Sequence, residues 1–269
     1  MTDPKKYTTQ NRIAWDEIAE VRHKRSEPAE FFANGGCRLS NRIIDVAGDV
    51  RGLGLCHLQC ATGEDTLSWA NRGVYATGVD ISPQQIEFAR RKAASAGLSV
   101  RFIDADIYDL PAELFAERFD IVFTGGGSIV WLPDLDRWAQ IIFRLLKSNG
   151  RLILDEEHPL AGCMEVQDGQ VKIVDDYFGR KPVTCSGWSH FSGAEEAKEI
   201  KYEFVWPLGD VVTALARTGL RIELLEESPS DAQWRFGTSL KEVARIPGSY
   251  LLVARKERDT EPAGAGDAL

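Results

Sequence analysis

Between residues 50 and 156 the chain alternates two spacings of apolar positions. Short apolar runs, "LGLCHLQ", "VYATGVD" (74–80), "VRFI" (100–103), "FDIVFT" (119–124) and "RLILD" (151–155), predict five strands. The stretch "DTLSWANRG" (65–73) predicts a helix that stops at Gly73, and "SPQQIEFARRKAASAG" (82–97) predicts another. In the second, Ser82 and Gln85 have the spacing of a capping box, Pro83 takes the first helical position and Gly97 the stop. In "DLDRWAQIIFRLLKSNG" (134–150), Leu135, Trp138, Ile141, Ile142, Leu145 and Leu146 recur at helical spacing up to Asn149-Gly150. Strands that alternate with helices predict an α/β fold whose parallel sheet is covered on both faces. The rhythm resumes with a helix near 207–218, a strand at 220–227 and a last strand at 249–255.

Three segments break this rhythm. Residues 1–45 read as an N-terminal helical cap ahead of a main domain that runs from 46 to 257. Residues 157–206 form a long aromatic-rich insertion after the fifth strand, and long connections in compact domains often serve function. The small, polar tail at 258–269 is expected to be disordered.

Composition narrows the partners. The 269 residues suffice for one large domain or two small ones, and 43% hydrophobic with 27% charged residues is an ordinary globular balance. Lys and Arg number 32 against 41 Asp and Glu, a net charge of −9, which argues against nucleic acid or an anionic membrane as the main partner. Five cysteines (Cys37, Cys56, Cys60, Cys163, Cys185) with no CxxC spacing predict neither structural zinc nor a disulfide framework, and fit a reducing cytoplasm. The N-terminal "MTDPKKYTTQNR" lacks the apolar core of a signal peptide, and no apolar run approaches the ~20 residues of a membrane helix. The expected partner is a small molecule, with homodimerisation left open.

In open parallel sheets, ligands bind beyond the carboxyl ends of the strands, where strand order reverses. Here those ends are Cys60-Ala61-Thr62-Gly63, Asp80, Asp104-Ala105-Asp106 and Thr124-Gly125-Gly126-Gly127. Asp80 lies 17 residues beyond Gly63, a distance at which an acidic residue can accept from both hydroxyls of an adenosine ribose. Ile81 is placed to stack on an adenine. The loop has one glycine, Gly63, where a pyrophosphate-binding G-x-G-x-x-G has three. That weighs against NAD and towards an adenosine ligand without phosphates, such as S-adenosylmethionine.

The stretches "HLQCATGEDTLSWANRG", "TGVDISPQQIEFAR", "FIDADIYDLP", "FDIVFTGGGSIVWLPDLDRW" and "LLKSNGRLILDEEHP" follow one another in order. In them the chain resembles class I S-adenosylmethionine-dependent methyltransferases, and within these the small-molecule methyltransferases of bacterial metabolism, from about residue 7 to 255. The resemblance implies a Rossmann-like, doubly wound sheet of seven strands, mostly parallel with the last strand antiparallel. It implies that Cys60, Ala61 and Gly63 wrap the methionyl part of the cofactor, Asp80 holds the ribose and Ile81 packs on the adenine. Asp106 would accept from the adenine amino group beside the Ile107 backbone, while Thr124 and Gly125 line the methyl-donor end. Ala61 departs from the glycine at the first place of the family's G-x-G. The stretch "YTTQNRIAWDEIAEVRH" resembles an N-terminal helix that folds over the cofactor, which would bring Trp15 to it or bury Trp15 as core.

Methyl transfer from a sulfonium is an in-line displacement of an activated group, so alignment and exclusion of water are its main needs. A base helps where the nucleophile carries a proton. Candidates are Glu156 and His158 directly after the fifth strand, with Glu157, Tyr177 and His190 behind them. Asp155, Glu156 and His158 without a second regularly spaced histidine make a poor metal site. His57 reads as a core histidine. The acceptor is expected to bind among Gly126, Trp131, Tyr177, Trp188 and His190, with most insertion aromatics forming that segment's own core. The run Gly125-Gly126-Gly127 suggests close approach of backbone to donor and acceptor. These features predict methyl transfer to a small, largely apolar or aromatic metabolite. The alternatives are a non-methylating S-adenosylmethionine binder, cyclase-like or regulatory, and a nicotinamide-dependent oxidoreductase. An RNA or protein methyltransferase fits less well, since no Asn-Pro-Pro-aromatic motif follows the fourth strand.

Overall fold

The structure, a computed structural model, describes residues 4–188, 191–230 and 232–257. Helices α1 (Pro4–Glu17), α2 (Ala19–Arg25), α3 (Ala29–Ala33) and α4 (Asn41–Ala47) precede the sheet. Then β1 (Gly54–Leu58), α5 (Glu64–Asn71), β2 (Tyr75–Asp80), α6 (Pro83–Ala96), β3 (Arg101–Asp104), α7 (Ala112–Glu117), β4 (Phe119–Gly125), α8 (Leu135–Leu145) and β5 (Leu146–Glu157) alternate. After α9 (Pro159–Gly162), two hairpins follow, β6 (Met164–Gln167) with β7 (Gln170–Ile173) and β8 (Val183–Ser186) with β9 (Ile200–Glu203). The chain closes with α10 (Leu208–Arg217), β10 (Leu220–Pro229) and β11 (Pro247–Lys256).

Seven strands form one sheet in the order β10-β11-β5-β4-β1-β2-β3. β11 runs antiparallel to both neighbours and the other pairs are parallel, the expected doubly wound arrangement. The period of two along each strand explains the two cores. Cys56, Leu58, Val122, Leu152 and Leu154 face α8 and α10, where Trp138, Ile142, Leu145, Val211 and Leu215 cover them. Leu55, Ile121, Phe123 and Ile153 face the other way, onto Trp69, Ile43 and Ala47. Each large apolar side chain so buried contributes about 1.5–3 kcal/mol.

Two local expectations change. The helix read up to Asn149 ends at Leu145, because Leu146 already pairs with Phe119 as the first residue of the long β5, within which Asn149 (φ 65°) marks an irregularity. The capping box is half formed: Ser82 Oγ accepts from the Gln85 N–H at 3.1 Å, while the Ser82 N–H goes to Asp80 at 2.9 Å. Pro83 and Gly97 (φ 69°) sit where the pattern placed them.

The N-terminal cap is not a separate layer. The Asn11 side chain donates to the Tyr202 carbonyl at 2.9 Å and accepts from its N–H at 2.7 Å, so α1 and β9 form one cover. Arg42 of α4 bonds to Asp155 of β5 and to Ser249 and Ser228 of the neighbouring strands. The expected disordered tail, 258–269, lies outside the described residues. No helix among the described residues is long and apolar enough to cross a membrane.

Candidate functional site

The loop after β1 has a backbone the sequence only partly signals. Gln59 (φ 59°), Ala61 (φ 49°) and Gly63 (φ 86°) all occupy the left-handed region. Alternate residues are therefore left-handed, a place glycine suits, and only one of the three is glycine. The reason is room. A Cβ on Gly63 would stand 2.9 Å from both the Ala89 Cβ and the Phe102 ring, so α6 and β3 press on this point. Gln59 was missed by the sequence reading, which counted glycines instead of positions.

Asp80 at the end of β2 is 7% exposed. Its Oδ2 accepts the Ala61 N–H at 2.8 Å and its Oδ1 accepts the Ser82 N–H at 2.9 Å. Burial pushes its carboxyl above the ordinary range against the pull of these two N–H groups and of Arg22. Each oxygen retains a further acceptor position. Ser82 Oγ in turn donates to Asp16 of α1 at 2.5 Å, so the cover is tied to the strand end.

The glycine run after β4 is anchored from β5. Glu156 is buried and accepts from the Gly127 N–H at 3.0 Å, the Ser128 N–H at 2.7 Å, the Ile129 N–H at 3.2 Å and the Ser128 hydroxyl. Burial raises its carboxyl pKa to about 7 against these donors. The Ser128 carbonyl accepts from Gln59 Nε2 at 2.9 Å, and Thr124 and Ser128 hydroxyls lie 2.9 Å apart. The three glycines differ. A Cβ on Gly125 would meet the Asp155 carbonyl oxygen at 2.4 Å, while Gly126 (φ 73°) and Gly127 (φ 80°) have open space and need glycine only for their backbone.

Four aromatics close the space above this loop. Trp15 of α1 lies 5.1 Å from Trp131 and 4.4 Å from Trp188 between ring centroids, and Phe191 packs on Trp188 at 5.7 Å. Lys201 of β9, buried, holds its ammonium 5.0 Å from the Trp188 ring and 2.7 Å from Glu203. Lys201 gave no signal in the sequence, because an isolated lysine on a short strand reads as surface.

An ion pair buried on both sides stands under the loop. Glu64, first residue of α5, pairs with Lys92 of α6, and both side chains are buried. Thr62 Oγ1 donates to Glu64 at 2.9 Å and Lys92 donates to Ser26 at 2.7 Å. Burial would raise the Glu64 carboxyl, but Lys92 overrides it and holds it low. Arg22 of α2 lies over Trp15, with Cζ 5.6 Å from the ring, and its charge acts on Asp80 and Glu64.

Several expected site residues have their polar atoms engaged elsewhere. Both Glu156 oxygens are engaged by the 127–129 loop inside the protein, so it serves as an anchor and not as an exposed base. His158 caps α9, its Nδ1 accepting from the Leu160 N–H at 3.2 Å, and its Nε2 lies 3.0 Å from Glu227 of β10. Burial lowers its pKa, and both ring nitrogens are occupied away from the glycine loop. Tyr177 accepts the Leu208 N–H at 3.1 Å, a cap on α10 and not an open pocket wall. Among the insertion aromatics only Trp188 and Phe204 are buried, while Phe178 is exposed. His190 lies outside the described residues. His57 is a core histidine: its Nδ1 is 2.8 Å from Thr66 Oγ1 and burial lowers its pKa to about 3.

Asp106 caps the short 3-10 turn Ile107–Asp109 through the Tyr108 N–H at 2.9 Å, and borders a cavity of about 170 Å³ with Lys5, Tyr108 and Arg137. Ile107 is buried and Ile81 half-buried. The residues brought together at the point where β1 separates β2 from β4 are thus Gln59, Ala61, Gly63, Asp80, Thr124 and Gly125, with Trp15 and Trp131 above.

Gln59 Oε1 and Arg22 Nε are among the buried polar atoms here that have no partner among the described residues. They are an acceptor beside the loop and a cationic donor near Asp80, and they fit the ammonium and carboxylate of a methionyl group.

Comparison with known proteins agrees with this fold. Residues 56–150 match the family model described as a methyltransferase domain. Over 124 residues the chain is 32% identical to the demethylmenaquinone methyltransferase of Thermus thermophilus, covering 45% of this chain and 55% of that protein. In fold it is similar to a protein from Listeria monocytogenes described as a putative S-adenosylmethionine-dependent methyltransferase, with a TM-score of 0.63 at 20% identity over 81% of this chain and 97% of the other. It is also similar in fold to the cyclase SpnF, with a TM-score of 0.62 at 19% identity over 94% and 96% of the two chains. The matched segment and the strand order converge: residues 56–150 are a methyltransferase domain, set in the seven-stranded fold that S-adenosylmethionine-dependent methyltransferases share.

Proposed function

We propose that the protein transfers a methyl group from S-adenosylmethionine to a small, largely apolar or aromatic metabolite. The observation that carries this reading is the pair of unpartnered buried atoms, Gln59 Oε1 and Arg22 Nε, beside a left-handed loop braced by Asp80. A ligand with an ammonium, a carboxylate and a ribose supplies partners for all three, and it needs no phosphate cradle. When bound, S-adenosylmethionine supplies a methyl group on a sulfonium, already activated for displacement.

The chain's own residues then bind and align. Gln59 and Arg22 hold the methionyl group, Cys60, Ala61 and Gly63 wrap it, and Asp80 accepts from the ribose hydroxyls. Ile81 packs on the adenine, Asp106 and Ile107 flank its amino edge, and Thr124 and Gly125 line the donor end. Trp15, Trp131 and Trp188 exclude water and offer an apolar wall to the acceptor. With Glu156 and His158 both engaged elsewhere, the reading favours acceptors that are nucleophiles without a protein base, such as a phenolate, an enolate or a neutral amine.

Titration calorimetry and thermal melts test this directly. S-adenosylmethionine and S-adenosylhomocysteine should bind and raise the melting temperature, and NAD should do neither. A response to NAD alone would overturn the reading. The likeness in fold to SpnF favours a second reading, a cyclase-like protein that keeps the cofactor without using its methyl group. S-adenosylhomocysteine released over a panel of phenols, enols and amines separates the two.

A further inference from the structure

Gln59, Ser128 and Glu156 form one continuous chain of hydrogen bonds across the site. Gln59 Nε2 donates to the Ser128 carbonyl at 2.9 Å, and the Ser128 N–H donates to Glu156 at 2.7 Å. Gly127 and Ile129 on either side donate to the same carboxylate, at 3.0 and 3.2 Å. One buried carboxylate therefore gathers three successive backbone N–H groups of the acceptor loop, and one side-chain amide joins that loop to the cofactor loop. The chain ends on an atom without a partner, since Gln59 Oε1 is buried and unbonded. Downstream, Ile129–Trp131 is a single short turn, so whatever fixes residues 127–129 also fixes Trp131 against Trp15 and Trp188.

We propose that Gln59, Ser128 and Glu156 are a strut through which the ammonium group of the bound cofactor orders the acceptor loop, with Glu156 as a positioning residue. This rests on the cofactor reading above and adds a coupling to it. An ammonium donating to Gln59 Oε1 fixes the amide plane and orientation. Nε2 is then held towards the Ser128 carbonyl, and the 127–131 segment loses its freedom to open. The coupling is differential, because the adenosine half of the cofactor offers no such donor to this amide.

Hydrogen exchange over residues 125–131 reads the coupling without any acceptor substrate. In the free protein, Glu156→Gln and Gln59→Asn should each speed exchange there by about tenfold or more. Asn tolerates the left-handed backbone at position 59 but is one carbon too short to reach Ser128. In the wild type, S-adenosylhomocysteine should slow exchange over 125–131, and 5′-methylthioadenosine, which has the same adenosine without the amino-acid portion, should not. Gln59→Asn should bind S-adenosylhomocysteine more weakly and, at ligand concentrations that saturate it by calorimetry, still lack this response. Equal protection by both ligands, or an intact response in Gln59→Asn, overturns the strut. If the wild type binds neither ligand, the cofactor reading fails instead. The strut is then judged by the free protein alone, where unchanged exchange in Gln59→Asn rejects it. Should Glu156→Gln not fold, the Gln59→Asn arm decides alone.

Discussion

The carboxylate of Asp80 accepts the backbone N–H of Ala61 at 2.8 Å, so the end of β2 holds the loop that follows β1. Asp80→Asn places an amide NH2 against one of two backbone donors, Ala61 or Ser82. The variant also loses its charge as an acceptor for the ribose hydroxyls, and one charged hydrogen bond to the ligand is worth about 1.5–3 kcal/mol. Affinity for S-adenosylhomocysteine should therefore fall by roughly ten- to a hundredfold in calorimetry, with only a modest loss of thermal stability. Unchanged affinity would separate Asp80 from the cofactor.

The Glu64–Lys92 pair predicts a stability effect away from any ligand. Lys92→Met leaves a buried carboxylate unpaired, which costs about 3–5 kcal/mol. Adding Glu64→Leu removes that charge and should recover much of the loss, because a buried ion pair is often worth little more than a well-packed apolar pair. Urea unfolding of the two variants beside the wild type measures both steps, and equal stability of the single and double variants would contradict the pairing.

The glycine run predicts opposite outcomes at adjacent positions. Gly125→Ala drives a Cβ into the Asp155 carbonyl at 2.4 Å, so β4 and β5 must separate and the protein should express poorly or melt early. Gly126→Ala meets open space and pays only for its left-handed backbone, about 1–2 kcal/mol. Gly126→Val should likewise fold while depressing turnover. Melting curves of the two alanine variants decide the order.

Glu156 predicts a pH dependence whose sign follows from its raised pKa, about 7 in the fold against 4.5 as the ordinary value. Below pH 4.5 the carboxyl is neutral in both states and its full contribution to stability is present. As pH rises towards and through 7 the unfolded state ionises first, and stability is lost by about 3 kcal/mol in all. Glu156→Gln lacks this titration. The stability of the wild type minus that of the variant should thus fall between pH 4.5 and 7.5, and a constant difference would refute the assignment.

Much of the fold was legible because apolar spacing is a local property. The central strands and the helices 82–97 and 134–145 follow from periodicity and from Ser82, Pro83 and Gly97. The error at 146–149 arose because leucines continue the helical spacing into a strand, and only pairing of Leu146 with Phe119 ends the helix. The place of Asp80 at the end of β2 was legible from the apolar run before it. Glu156 and His158 were legible as polar residues at a strand end, but not as anchors, since their partners lie at Ser128 and Glu227.

The sequence by itself determined the α/β alternation, the position of the cofactor loop and the argument against a phosphate ligand, all of which depend on neighbours along the chain. Tertiary structure alone decided that Gln59 and Ala61 share the left-handed backbone of Gly63, and that only Gly63 must be glycine, because Ala89 and Phe102 crowd that one position. It also decided that Lys201 is buried among tryptophans and that Glu156 holds the glycine loop. Such roles depend on which residues distant in sequence come within bonding distance, and apolar spacing carries no record of that.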